Sequence, residues 1–78
     1  MARVYDGDRF QVHIWLNDHP PAHVHVHRAE GLAIMNLLTL TIRAAFDLKP
    51  AELRRALEIV EANQIRFLQK WKEIHHGR

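Results

Sequence analysis

The sequence has no cysteine, only three glycines and three prolines, and no long hydrophobic run. Without cysteine there are no disulfides and no thiolate metal sites, so any metal would be bound by nitrogen and oxygen atoms. No apolar stretch approaches the roughly 20 residues that a membrane-spanning helix needs. The opening segment, MARVYDGDRF, lacks the apolar core of a signal peptide. The lack of a membrane-spanning segment and of a signal peptide predicts a cytoplasmic protein that does not contact membranes.

What remains has the composition of an ordinary globular domain. The 78 residues are 47% hydrophobic and 26% charged, which favours one folded domain over a disordered chain. The formal charge is only +2, but seven Lys and Arg residues face four Asp and Glu residues from Lys49 onward, compared with four against five before it. Such a basic segment is compatible with a nucleic acid or an acidic partner, and it is also typical of a solvated helix face.

The segment from Phe10 to Arg28 predicts a β-hairpin. RFQVHIWL and AHVHVHR both alternate between apolar and polar residues, as half-buried strands do, and NDHPP between them has the composition of a loop. Matching the apolar faces requires paired residue numbers with an even sum, and a five-residue loop predicts a sum of 38. This register places His13 opposite His25. A slip of two residues gives the alternative sum of 40, with His13 opposite His27.

The rest of the chain predicts two short strands and a helix. Near-continuous hydrophobicity in GLAIMNLLTLTI favours strands over roughly 32–37 and 39–42. From Pro50, a residue suited to the first helical position, apolar residues recur at spacings of three and four. A helix from there to about residue 75 would be about 37 Å long. We expect a partner or second copy to cover its end around Phe67 to Ile74, or a break near Asn63, or a diagonal packing across the sheet.

These elements together predict the fold class. We expect an α+β domain over residues 1–78, in which a small, mainly antiparallel sheet of three to four strands packs against one long C-terminal helix. The hairpin would span 10–28, the short strands about 32–42 and the helix about 50–75. If the helix overhangs its own sheet, it would provide the interface of a homodimer.

Histidines dominate one face of the predicted hairpin. His23 and His25 are two residues apart on a strand, so they lie on the same side, about 6.5–7 Å apart at Cα, and can bind one ion together. His13 across the hairpin is the natural third ligand. Nitrogen-rich ligation favours zinc, nickel or another transition metal over magnesium or calcium. The candidate metal ligands are His13, Asp18, His19, His23 and His25.

Two other interpretations use the same residues. His23 and His25 could act as general acid and base in cleaving a phosphodiester without a metal, while Arg28 holds the phosphate. The other interpretation is structural: the histidines only form the polar outer face of the hairpin. For contact with a nucleic acid or a partner protein, the candidates are four basic residues and one aromatic residue: Arg28, Arg54, Arg66, Lys70 and Trp15.

Three segments resemble a family of small bacterial proteins called domain of unknown function 4160. They are HIWLNDHPPAHVHV, LAIMNLLTL and LKPAELRRALEIVEANQIRFLQKW, which together extend from about Gln11 to Trp71. The most specific part of the resemblance is a D-H-x-P-P-H-x-H element, in which Ala22 replaces the second proline. His13 and His27 lie outside this pattern, which favours His19 over them as a site residue. The matching residues are Asp18, His19, Pro21, His23 and His25, with Trp71 as the tryptophan that ends the helix.

The resemblance also carries an expectation about function. Genes of this family often lie beside a second small gene, which implies a two-gene partnership similar to a toxin–antitoxin module. We therefore expect a binding module that contacts a partner protein, and RNA as a further ligand, through the hairpin that bears His19, His23 and His25. The alternative is a small hydrolase or nuclease that uses these histidines with a metal or as acid and base. The two hypotheses differ on whether the protein is an enzyme.

Overall fold

The computed structural model describes residues 2–76, which form an antiparallel sheet and two helices. The strands are β1 (Ala2–Gly7), β2 (Phe10–Ile14), β3 (His23–Arg28), β4 (Gly31–Asn36) and β5 (Ile42–Phe46). The helices are α1 (Pro50–Ala62) and α2 (Gln64–Ile74). The sheet order is β1-β2-β3-β4-β5, and every neighbouring pair is antiparallel. The α+β class is confirmed, whereas three to four strands and one long helix are only roughly right.

The first strand, β1, is missing from the sequence prediction. It ends at Gly7, and the turn to β2 lies at Asp8 and Arg9, whose φ angles are 54° and 66°. Two successive positive φ angles are typical of the tightest hairpin loops. A β-bulge between Arg3 and Tyr5 shifts the register of β1 against β2. The bulge interrupts the alternation by which a strand is recognised in a sequence.

The second short strand begins later than the predicted 39–42, because residues 39–41 lie in the loop that joins β4 to β5. The side-chain oxygen of Asn36 accepts hydrogen bonds from the backbone N–H groups of Leu38 and Thr39, at 2.8 and 3.0 Å. The backbone N–H of Asn36 donates to the carbonyl oxygen of Thr41 at 2.9 Å. This network delays the start of β5 to Ile42. The other predicted strand, over 32–37, agrees with β4 within one residue at each end.

Both helices pack on one face of the sheet. Some side chains on the opposite face of the sheet, such as His27, Leu32 and Ile34, are only partly buried. On the same face, however, His13 and His23 are buried, and Trp71 of α2 lies against the ring of His23. The core comprises Phe10, Val12 and Ile14 from β2, Val24 and Val26 from β3, Ala33 and Met35 from β4, and Ala56, Ile59, Val60, Phe67 and Trp71 from the helices.

The predicted single helix is broken at Asn63, which was one of the expected outcomes. Asn63 has φ −116° and ψ 17°, and it separates α1 from α2. Its side-chain amide donates to the carbonyl oxygen of Ile59 at 2.8 Å, a bond of the kind that competes with helical hydrogen bonding. The side-chain amide of Gln64 donates to the carbonyl oxygen of Leu37 at 2.7 Å. These two amides explain both the break and the attachment of α2 to the end of β4.

The break allows α2 to pack against its own sheet. Phe67 is fully buried and Trp71 is 8% exposed within a single chain. The described part of the chain measures 37 × 22 × 20 Å. These two side chains need no second copy to cover them, and a homodimer through this helix stays a prediction. Within residues 2–76, no helix is long and apolar enough to cross a membrane.

Two ion pairs connect α1 to the hairpin loops. Arg28, at the end of β3, donates to Glu52 at 2.9 Å, and Arg55 donates to Asp8 at 2.6 Å. Glu52 also accepts the backbone N–H of Lys49 at 2.9 Å, which satisfies a free donor where the helix begins. The first turn of α1 is thereby fixed to β3 and to the turn between β1 and β2.

Candidate metal centre

Asp18, His23 and His25 lie together beside the start of β3. One ligand atom from each residue lies within 4.8 Å of the other two. Nε2 of His23 is 3.4 Å from Oδ1 of Asp18, and Nδ1 of His25 is 3.8 Å from Oδ2 of the same carboxylate. The two histidines are the first and third residues of β3, which places them on the same side of the strand. Two imidazoles and one carboxylate therefore converge on one point.

A local turn holds the carboxylate of Asp18 in place. The backbone N–H of Asp18 donates to the carbonyl oxygen of Trp15 at 3.2 Å. In return, the backbone N–H of Trp15 donates to Oδ2 of Asp18 at 3.1 Å. The side chain of Asp18 is only 15% exposed. Because a carboxylate has about four lone-pair positions, it keeps free acceptor capacity toward the histidines.

A backbone hydrogen bond also orients the ring of His23. Nδ1 lies 2.9 Å from the carbonyl oxygen of Pro21, which only accepts, so Nδ1 carries the proton. Nε2 then faces Asp18 either as the second N–H of an imidazolium or with a free lone pair. In the first case the two residues form an ion pair, and in the second the lone pair and the carboxylate can hold a metal ion between them. Metal-binding histidines usually have their other nitrogen bonded in this way.

His25 is prepared to act as a neutral ligand. Burial lowers the pKa of His25, the carboxylate of Asp18 opposes this effect, and the neighbouring histidines add to it. Nδ1 of His25 is buried and has no hydrogen-bond partner in the part of the chain that the structure describes. A buried nitrogen without a partner is uncommon in proteins. In the tautomer that is protonated at Nε2, this nitrogen offers its lone pair toward Asp18.

Aromatic rings surround the cluster. The ring of His23 is 5.3 Å, between centroids, from both the His25 ring and the Trp71 ring. The rings of Trp15 and His25 meet edge to face at 6.1 Å. His75 stacks on Trp71 at 3.9 Å and approaches the carbonyl oxygen of Trp71 with Nδ1 at 2.7 Å. These rings limit the access of water to the three polar side chains.

Two surface grooves reach the cluster, and both include the loop residues Asn17 to Pro20. The first groove is also lined by Leu16, Trp71 and His75. The second is also lined by His23, Ile34, Arg43 and Ala44. The second groove gives a small ligand access to Asp18 and His23, and Arg43 of β5 lines the same groove.

The structure brings only part of the predicted ligand set together. His13 lies opposite His25 and Gln11 opposite His27, so the register with a sum of 38 is confirmed and the slipped register is wrong. His13 nevertheless lies outside the three-residue group, with its ring 4.9 Å from that of His27. Burial and the neighbouring His27 lower the pKa of His13. His19 is exposed in the loop and is also outside the group.

The residues predicted to contact a nucleic acid or a partner are scattered. Arg28 and Lys70 are each paired with a carboxylate of the same chain, at 2.9 and 3.4 Å. Arg54 and Arg66 are exposed on α1 and α2, respectively. Trp15 is 39% exposed and contacts the ring of His25. Of these five, only Trp15 contacts a residue of the cluster in the structure.

Sequence reasoning missed Arg43. The strand that carries it, IRAAF, was not predicted, because almost all of its residues are exposed and show no alternating burial. Its neighbour β4 also has an irregular register against it, between Ile34 and Met35. No signal in the sequence alone connects Arg43 with the histidines.

The sequence was also compared with known families and proteins. A family model described as domain of unknown function (DUF4160) matches residues 9–72, well over half of the chain. The chain belongs to the DUF4160 family. No curated protein and no solved structure matches it. The DUF4160 match includes all three residues of the cluster and Trp71, whereas β1 lies outside it.

Proposed function

We propose that this DUF4160 protein is a binding module that holds a transition-metal ion, such as zinc, through Asp18, His23 and His25. The observation that carries the proposal is the 3.4 Å separation of His23 Nε2 and Asp18 Oδ1. With zinc–ligand bonds of about 2.0–2.1 Å, a tetrahedral site separates its ligand atoms by roughly 3.3 Å. Nδ1 of His25 lies 3.8 Å from the other carboxylate oxygen, Oδ2, and the ligand atoms all lie within 4.8 Å of one another, so the side chains would have to approach by up to about 1.5 Å to meet this geometry.

Three protein ligands leave at least one coordination position for water or another ligand. Such open sites are typical of catalytic zinc, whereas structural zinc has four protein ligands. Two imidazoles with one carboxylate also suit nickel or iron, and they disfavour calcium and magnesium. The open position, reached through a groove, supports a metal-dependent hydrolase or nuclease as the second candidate function.

The role in a toxin–antitoxin-like pair, with a partner protein or RNA, is a separate proposal that rests on the family resemblance. One feature supports a protein partner: β5 is an edge strand whose Ile42 and Phe46 are 40% and 57% exposed. Edge strands of this kind offer unpaired backbone groups to another chain. Contact with RNA has less support, because Arg28 and Lys70 are already paired within the chain.

Calorimetric titration with zinc near pH 7.5 tests the metal site. We expect one ion per chain with micromolar or tighter affinity, no binding by a His23→Ala/His25→Ala variant, and at least tenfold weaker binding by Asp18→Asn. His19→Ala is the matched control, because this histidine belongs to the same loop but lies outside the cluster. It should bind zinc as the unmodified protein does.

Two results would contradict the proposal. Zinc binding that survives the double variant would place the ion elsewhere, and no binding by a folded, unmodified protein would leave a His23–Asp18 ion pair. Circular dichroism of each variant distinguishes a lost site from a lost fold. Zinc-loaded samples incubated with an activated phosphodiester test the second candidate, and turnover that persists in Asp18→Asn would refute it.

A further inference from the structure

We infer that the groove beside the metal centre is a phosphate subsite, in which a phosphate group is held between the metal ion and Arg43. This inference rests on the proposed function, since it needs the ion at Asp18, His23 and His25. It adds to the proposed site a phosphate-binding residue, Arg43, that no sequence motif indicated.

Arg43 lines the same groove as Asp18 and His23, although it comes from β5, at the far edge of the sheet in sequence order. The hairpin β4–β5 and the loop before β3 are thus the two walls of one groove. Ile34 and Ala44, a cross-strand pair, also line it and are uncharged. Asp18 and Arg43 are consequently the two residues with a permanent charge in this groove, apart from its histidines.

The guanidinium group of Arg43 is not paired with another side chain of residues 2–76. Three other arginines, Arg3, Arg28 and Arg55, form ion pairs with carboxylates of the same chain. Within residues 2–76, Arg43 has no carboxylate oxygen within 4.0 Å and no side-chain hydrogen bond. Its side chain is exposed at the groove. All the donors of this guanidinium are therefore free for a ligand.

The positive charge of the metal site and Arg43 matches the negative charge of a phosphate group. A divalent ion with one carboxylate and two neutral imidazoles keeps one net positive charge, and Arg43 adds a second. A phosphate group carries roughly −1.5 to −2 charges at neutral pH, so it matches this pair better than a carboxylate, which carries only one. The guanidinium can bind two phosphate oxygens side by side, and the open metal position can take a third.

Cobalt(II) in place of zinc provides the test, because its visible spectrum reports directly on the ligands of the ion. With protein in excess over cobalt, inorganic phosphate should shift the absorption bands in a saturable way. Cobalt-loaded Arg43→Gln should need at least tenfold more phosphate for the same shift. Arg54→Gln is the matched control, because Arg54 is exposed on α1 and lies outside the groove. Acetate should shift the bands only at higher concentration than phosphate.

The outcomes separate this inference from the function on which it rests. No protein-bound cobalt spectrum would overturn the metal site and the phosphate subsite together. A normal cobalt spectrum that phosphate does not change would overturn the subsite alone. An equal response to phosphate in Arg43→Gln and Arg54→Gln would also overturn the subsite, since the anion would then bind the metal without the arginine.

Discussion

Gly31 begins β4 at a position where the backbone leaves no room for a side chain. A Cβ atom there would lie 2.5 Å from Cδ2 of Leu48 and 2.6 Å from the carbonyl oxygen of Asp47. We expect Gly31→Ala to lower the free energy of unfolding by about 1–3 kcal/mol, because a backbone oxygen cannot move away cheaply. Urea denaturation followed by circular dichroism measures the change.

Gly7 provides the comparison for this substitution. A Cβ atom at Gly7 would approach only the side chain of Tyr5, with the hydroxyl oxygen at 3.0 Å, and that side chain can shift. Gly7→Ala should therefore lose clearly less stability than Gly31→Ala. Equal losses would mean that the contact with Asp47 does not decide the cost.

At the same scale, the sequence predicted the histidines of the site better than it predicted their surroundings. The i, i+2 spacing of His23 and His25 is sufficient to place both on one side of a strand. Asp18 was a predicted metal ligand, but its carboxylate reaches the two histidines because of the turn that begins at Trp15. The sequence of this segment did not predict that turn. His13 shares the register of His25 and still lies outside the group, since its ring is beside that of His27.

At the scale of the element, two carboxylates connect α1 to the hairpins in a way that depends on pH. The hydrogen bond from Arg55 is the main cause that lowers the pKa of Asp8. The backbone N–H of Lys49, followed by Arg28, lowers the pKa of Glu52. A carboxyl whose pKa is lowered by folding stabilises the fold above its ordinary pKa, and this contribution is lost as the pH falls toward the lowered value.

The free energy of unfolding should therefore decrease on acidification from about pH 5 to pH 3, a range that includes the ordinary pKa of these groups, about 3.9 for Asp and 4.3 for Glu, and extends below it. An Asp8→Asn/Glu52→Gln variant should be less stable than the unmodified protein at pH 6 and should show a smaller decrease over this range. Glu61→Gln is the control, because Glu61 is exposed and forms no ion pair within residues 2–76. A double variant with the unmodified slope would exclude these two groups as the cause.

The elements themselves differ in how far the sequence predicts them. The β2–β3 hairpin and its register follow from two alternating segments with one buried face. The alternating pattern does not predict the edge strands, because β1 carries a bulge and β5 is exposed on both faces. The break at Asn63 depends on tertiary contacts such as the bond from Gln64 to Leu37, and the helical period alone does not reveal it.

At the scale of the whole molecule, α2 supplies a large share of the core of a small protein. Phe67 is fully buried and meets the ring of Tyr5 edge to face at 6.4 Å. We expect Phe67→Ala to lower the free energy of unfolding by about 3–5 kcal/mol, which is a large part of the stability of a domain of this size. Urea denaturation or the melting temperature measures this loss.

The comparison is Ile65→Ala, two residues away on the same helix. Ile65 is 74% exposed, so its substitution should change the free energy of unfolding by no more than about 0.5 kcal/mol. If Ile65→Ala were instead the more damaging change, α2 would have to pack through its other side. Such a result would favour the predicted homodimer through this helix.

The positions of the two tryptophans mean that their fluorescence can report the binding of an ion at the cluster. The sequence has two, and both rings lie beside histidines of the cluster, Trp15 beside His25 and Trp71 beside His23. Tryptophan fluorescence would therefore come entirely from the neighbourhood of the site, and a bound paramagnetic ion would quench nearly all of it without an attached dye. Because Trp71 also belongs to the core, an ion that binds only the folded chain would make the protein harder to melt, and one emission signal could follow both events.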